Sequence, residues 1–166
     1  MRKFAAAILV ALTVAPAAFA GGRDTALESS VFQQINNVRS SHGLPPFKLS
    51  TKLAAAAAQH SNEMGADGYF AHESFDHSVF WKRVAHWYSP AGKRYWTVGE
   101  NLLWASPDVS PSHAVTMWMN SPEHRANLLN RTWREIGLSA VHLDVAPGVY
   151  GGQPVTILTA DFGARR

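Results

Sequence analysis

The chain has 166 residues, 15 Lys and Arg against 12 Asp and Glu, eight histidines and no cysteine. That length suits one domain with a sizeable core, and the lack of cysteine excludes a disulfide scaffold and a lipid anchor attached through a cysteine. The formal charge of +3 is small and partly terminal, which argues against a nucleic-acid-binding protein.

The N-terminus reads as a secretory leader. Arg2 and Lys3 precede an apolar run over residues 4–15, and Ala18-Phe19-Ala20 supplies a small-x-small cleavage pattern before Gly21. The run is shorter than the ~20 residues that cross a bilayer, so no membrane span is expected. Residues 1–20 are therefore assigned as signal peptide and 21–166 as one domain. The leader holds two of the basic residues and none of the acidic ones, leaving 13 against 12, or +1. Export to a bacterial periplasm or medium follows.

Asp24 or Thr25 can cap a first helix whose apolar stripe is Leu27, Val31, Ile35 and Val38. Gly43 and Pro45-Pro46 stop it. Ser50 or Thr51 caps a second helix that runs through the alanines 54–58 to Met64, with Gly65 and Gly68 ending it. The alanines invite close approach by another element. Residues 69–97 read as irregular and aromatic-dense, with a short helix near 80–85. Most of these aromatics are expected to cover the core and a few to line a groove. A strand follows at 98–105, a helix at 112–120, and a second helix opened by Ser121-Pro122-Glu123 that reaches about Leu129. Strands at 134–143 and 154–162, joined by a Pro/Gly-rich loop, complete an α+β pattern.

Three stretches carry candidate chemistry. Phe70-Ala71-His72-Glu73 lies just past a helix end. In Gly99-Glu100-Asn101-Leu102, strand alternation puts Glu100 on the same face as Val98 and Leu102, where a carboxylate needs a partner. His124 falls in the first turn of a helix, whose dipole favours the neutral imidazole that can ligate a metal or act as a base.

From about Glu28 to Phe162 the chain resembles the bacterial branch of the CAP superfamily, which includes cysteine-rich secretory, antigen 5 and pathogenesis-related-1 proteins. Residues 35–49 resemble its first helix and turn. Phe70-Ala71-His72, Val98-Gly99-Glu100-Asn101-Leu102 and Glu135-Ile136-Gly137 match further motifs, and Trp118 to Leu129 matches its second histidine motif. The resemblance implies a three-layer α-β-α sandwich with an open cleft holding His72, His124 and Glu100. Many members carry a second carboxylate where this chain has Ser121, so the full tetrad is incomplete. The resemblance further implies zinc or another divalent ion weakly held by His72 and His124, with Glu100, Ser121 and Asn101 around them. His77 and His86 sit in the aromatic stretch near His72 and could supply a third ligand, and His60 reads as a packed residue.

The preferred functional reading is a monomeric binding module for an apolar or amphipathic ligand or a cell-wall component. A metal-assisted hydrolase of peptides, esters or cell-wall material, with Glu100 as base, is the alternative. No nucleophile motif supports a serine triad.

Overall fold

The computed structural model describes residues 22–166; the expected leader and its cleavage site before Gly21 lie outside the described residues. The chain enters as a two-residue strand, β1 (Gly22–Arg23), and turns into helix α1 (Thr25–Ser41). The Asp24 carboxylate caps that helix by accepting from the Leu27 N–H at 2.9 Å. Leu27, Val31 and Ile35 are buried as the stripe predicts, whereas Val38 is only half-buried. Arg39 takes the buried position after Ile35. Its guanidinium lies 3.7 Å from the centre of the Phe47 ring and donates to the Pro45 and Leu128 carbonyls at 2.9 and 2.8 Å.

A second short strand, β2 (Lys48–Leu49), leads to α2 (Thr51–Asp67), capped by the Ser50 hydroxyl. Gly68 ends α2 in the left-handed conformation, φ 69°. Gly65 does not end it, contrary to the sequence reading. It sits inside the helix and faces the sheet, where a Cβ would come within 2.9 Å of Leu143. Helix α3 (Phe80–Trp87) is one turn fragment longer than expected. Strand β3 (Trp96–Ala105), helices α4 (Pro111–Asn120) and α5 (Pro122–Leu128), and strands β4 (Glu135–Leu143) and β5 (Val155–Arg165) follow.

The sheet order is β1-β4-β5-β3, antiparallel throughout, and β2 adds a parallel pairing to the same edge of β4 that carries β1. β3 and β5 begin and end beyond the expected limits because Trp96 pairs with Arg165 at the open end of the ladder. The two-residue strands β1 and β2 carry too little pattern to be recognised as strands in the sequence.

Alternation sends the two strand faces into different cores. Ile136, Leu158, Phe162 and Leu103 pack against α1, α4 and α5 through Ile35, Trp118 and Leu128. On the other face Val141, Ile157 and Leu102 meet Met64 of α2, while Leu53, Val84 and Tyr88 join α2 to α3. The architecture is the expected α-β-α sandwich. Its tightest seam lies between α2 and β4. A Cβ on Gly137 would fall 2.0 Å from the Ala54 nitrogen, so the alanine run does allow a close approach, and the approach requires glycine opposite it.

Candidate functional site

β3 presents its alternate residues to the two layers, which divides the Gly-Glu-Asn stretch between two jobs. Glu100 turns toward α2 and α3, and its side chain is 1% exposed. Its Oε1 accepts from His72 Nδ1 at 2.8 Å, and its Oε2 accepts from Arg83 Nη2. Arg83 is equally buried and also donates to Ser74 Oγ at 2.9 Å. The sequence reading asked what pairs with Glu100; the answer is Arg83 of α3 together with His72.

Asn101 turns the other way and is fully buried. Its Nδ2 donates to the His124 carbonyl at 3.0 Å, and its Oδ1 accepts from Asn127 Nδ2 at 2.7 Å. Asn127 donates as well to the Glu100 carbonyl at 3.0 Å. Asn101 and Asn127 thus fasten α5 to β3 and set where His124 stands. Ser121 is the N-cap residue of α5 by position, yet its side chain makes no capping bond. Its hydroxyl is 3.5 Å from Glu123 Oε2 and faces a pocket beside His124.

The two cleft histidines titrate in opposite directions. The hydrogen bond to Glu100 raises His72 above the usual histidine value, against the opposing cost of burial. Burial lowers His124, and the nearby charge of His72 lowers it further. His124 is shifted toward the neutral form expected from the helix terminus, with burial as the main cause. With Nδ1 committed to Glu100, His72 keeps Nε2 for a ligand, the arrangement in which a carboxylate fixes the tautomer of a metal-binding imidazole. Two imidazoles fit a borderline divalent ion with water completing its shell. Among the described residues no group of three or more His, Cys, Asp or Glu is placed to hold a metal, and His77 and His86 are exposed.

His60 is fully buried, and its Nε2 donates to the Ala71 carbonyl at 2.8 Å. Desolvation holds it below the ordinary histidine value. It is a packed residue that anchors the chain just before His72.

A second buried carboxyl lies where the sequence reading did not look. Asp161 of β5 stands directly across from Glu100, is 0% exposed, and has no hydrogen-bond partner by geometry among the described residues. Two carboxyls lie near one guanidinium there, and only Glu100 bonds it. Burial and the adjacent Glu100 charge push Asp161 well above the usual carboxylate range, which favours its protonated form. The signal was available: Asp161 alternates with Ile157 and Thr159 on a buried strand face, the same reasoning that singled out Glu100. Arg83 left no comparable trace beyond the need of Glu100 for a cation.

The pocket beside His124 has a volume of about 340 Å³ and is lined by Phe70, Leu102, Leu103, Trp104, Met117, Trp118 and Ser121. Only Phe70 comes from the aromatic stretch expected to furnish the groove. Tyr88 from that stretch is buried, and Tyr69, Phe80, Tyr95 and Trp96 pack against the core as expected, while Phe75, Trp81 and Trp87 stand 57%, 46% and 40% exposed.

Comparison with known proteins agrees with this fold. The Bacillus subtilis proteins YkwD and YlbC, both uncharacterized, are 32% and 29% identical over 117 and 114 residues. Those matches take in 70% and 69% of this chain but 43% and 31% of the relatives, so the chain spans less than half of their length. Among solved structures, an outer surface protein of Borrelia burgdorferi superposes with a TM-score of 0.69 at 18% identity, covering 88% of this chain and 99% of that one. An extracellular SCP-domain protein of Bacillus anthracis gives a TM-score of 0.61 at 28% identity, covering 81% of this chain and 39% of that one. Residues 32–149 match the cysteine-rich secretory protein family, CAP, and the chain belongs to that family.

Proposed function

We propose that this chain is an exported binding module whose cleft, built on His72 and His124, takes up a divalent ion such as zinc together with an apolar or amphipathic ligand. The observation that carries the reading is the Glu100–His72 hydrogen bond of 2.8 Å, which occupies Nδ1 of His72 and leaves its Nε2 free to bind a ligand, while burial favours the neutral form of His124. The apolar pocket next to His124 supplies a place for the ligand's nonpolar part. Export rests on the leader pattern and on the likeness to an extracellular SCP-domain protein. Among the described residues no helix is long and apolar enough to cross a membrane.

Glu100 favours binding over hydrolysis. Both its oxygens are engaged, by His72 and Arg83, and its side chain is 1% exposed. A general base needs a free oxygen within reach of water, and this carboxylate has none to offer. The role left to it is to hold His72.

Calorimetric titration of the metal-free protein with zinc tests the proposal. One ion per chain is expected for the parent protein and none for the His72→Ala/His124→Ala double variant. Equal binding by both, or by neither, refutes the assignment.

A further inference from the structure

The pocket beside His124 touches three consecutive residues of one strand, Leu102, Leu103 and Trp104. Successive side chains of a strand face opposite sides of the sheet, so a cavity that meets all three sees the strand edge-on. β3 is the end strand of its side of the sheet, with β5 as its one neighbour. Phe70 walls the cavity from the layer of α2 and α3, and Met117 and Trp118 wall it from α4.

The phase of the ladder says which main-chain groups face that cavity. Tyr95 and Arg166 exchange hydrogen bonds at 3.0 and 3.1 Å, and the register runs unbroken to Ala105 opposite Thr156. Odd-numbered residues of β3 therefore bond to β5, and even-numbered ones turn their N–H and C=O groups to the free edge. Two side chains already use that edge: Asn127 donates to the Glu100 carbonyl and the Trp118 indole donates to the Leu102 carbonyl at 3.1 Å. No hydrogen bond from a described residue reaches the N–H of Leu102 or the N–H and C=O of Trp104. Unpaired strand-edge groups of this kind are a template for another extended chain.

We propose that the edge of β3 at Leu102 and Trp104 receives an extended polypeptide segment as an added strand. This deepens the reading of the cleft as a binding site and rests on it for the ligand's approach to the histidines. Residues 102 and 104 lie about 6.7 Å apart along the strand, the spacing at which an extended peptide presents its own outward N–H and C=O groups. One apolar peptide side chain fills the cavity between Phe70 and Met117. The segment ends at Leu102, on the side toward His124, which Asn101 holds beside the same strand. A lipid chain fills the cavity equally well but leaves the edge N–H groups without acceptors, so the backbone groups favour a peptide. The Trp118 indole already holds the Leu102 carbonyl and Asn127 the Glu100 carbonyl, so the added strand bonds only the Leu102 N–H and the Trp104 N–H and C=O, which keeps it to a few residues and the affinity modest.

The test uses a library of blocked hexapeptides that alternate threonine with leucine or phenylalanine, titrated into the 15N-labelled protein. Members that bind are expected to shift the Leu102 and Trp104 amide signals and to slow their hydrogen exchange at least tenfold. N-methylation of the tightest member at every second residue is expected to weaken binding more than tenfold, with the intervening positions indifferent. Binding that ignores N-methylation at every position, or no binding by any member at millimolar concentration, overturns the inference, as does protection of those amides by lauric acid but by no peptide. Parallel titrations of the parent protein with peptide and with zinc separate the two proposals. Peptide bound without zinc contradicts only the metal reading, and zinc bound without peptide contradicts only the added strand.

Discussion

Replacing Asp161 by asparagine isolates the buried acid pair under the cleft. The amide has nearly the shape of the protonated carboxyl and does not titrate. In the folded protein burial and Glu100 keep Asp161 protonated well above its usual value near 3.8, whereas the unfolded chain releases the proton there. Above that pH the native state binds one proton more than the unfolded state, so Asp161 subtracts from stability as pH rises, by about 1.4 kcal/mol per pH unit until the native carboxyl itself ionises. Below it the contribution is level. Asp161→Asn removes the slope, and any fixed difference in packing displaces the whole curve without tilting it. Urea denaturation of both proteins at pH 4, 5 and 6 reads the effect. With slopes near 1–3 kcal/mol per molar urea, the variant's midpoint should gain on the parent by about 0.5–1.4 M per pH unit over that window. A difference that stays constant across the three pH values would mean that Asp161 ionises normally and that the charge count around Arg83 is wrong.

Other consequences can be read by simpler means. Arg83→Met leaves Glu100 buried without its cation and should cost about 3–5 kcal/mol, seen as a melting temperature lower by roughly 10 °C; a shift of a degree or two would refute the pairing. Gly137→Ala forces a methyl group to within 2.0 Å of the Ala54 nitrogen and should destabilise by about 3 kcal/mol or more, while Gly22→Ala, with nothing within 4 Å, should be silent in the same thermal melt. His60 has a lowered native pKa, so its contribution is present above the ordinary value of 6.5 and is lost as pH falls below it. His60→Gln, which keeps a donor for the Ala71 carbonyl, should therefore lose less stability than the parent between pH 7 and 5, and a parallel loss in both would contradict the buried neutral ring.

Much of the fold is legible in the sequence because its elements carry strong local signals. Asp24, Ser50 and Pro122 mark helix starts, and the four-residue spacing of Leu27, Val31 and Ile35 marks a buried face. Gly65 was misread because a glycine in a helix can serve packing as well as termination, and only the presence of Leu143 and Ile157 opposite it decides between them. β1 and β2 exist through pairing with β4, a tertiary fact with no periodicity of its own. The candidate site is half visible in the same sense. The motifs locate His72, Glu100 and His124, and alternation predicts that Glu100 needs a partner. That the partner is Arg83, and that a protonated Asp161 lies across from it, depends on which helix the sheet packs against. The departure at Ser121 removes a carboxylate from the cleft rim, while Asp161 places one beneath its floor, where it cannot meet a ligand directly.

The most direct measurement follows the ring 15N signals of the histidines while zinc is added to the metal-free protein. The account predicts that His72 and His124 shift together and saturate at one equivalent, with His60 unmoved in its hydrogen bond to Ala71. Zinc that perturbs only one of the pair, or moves exposed histidines such as His77 and His86 instead, would contradict the claim that the two form a single site oriented by Glu100.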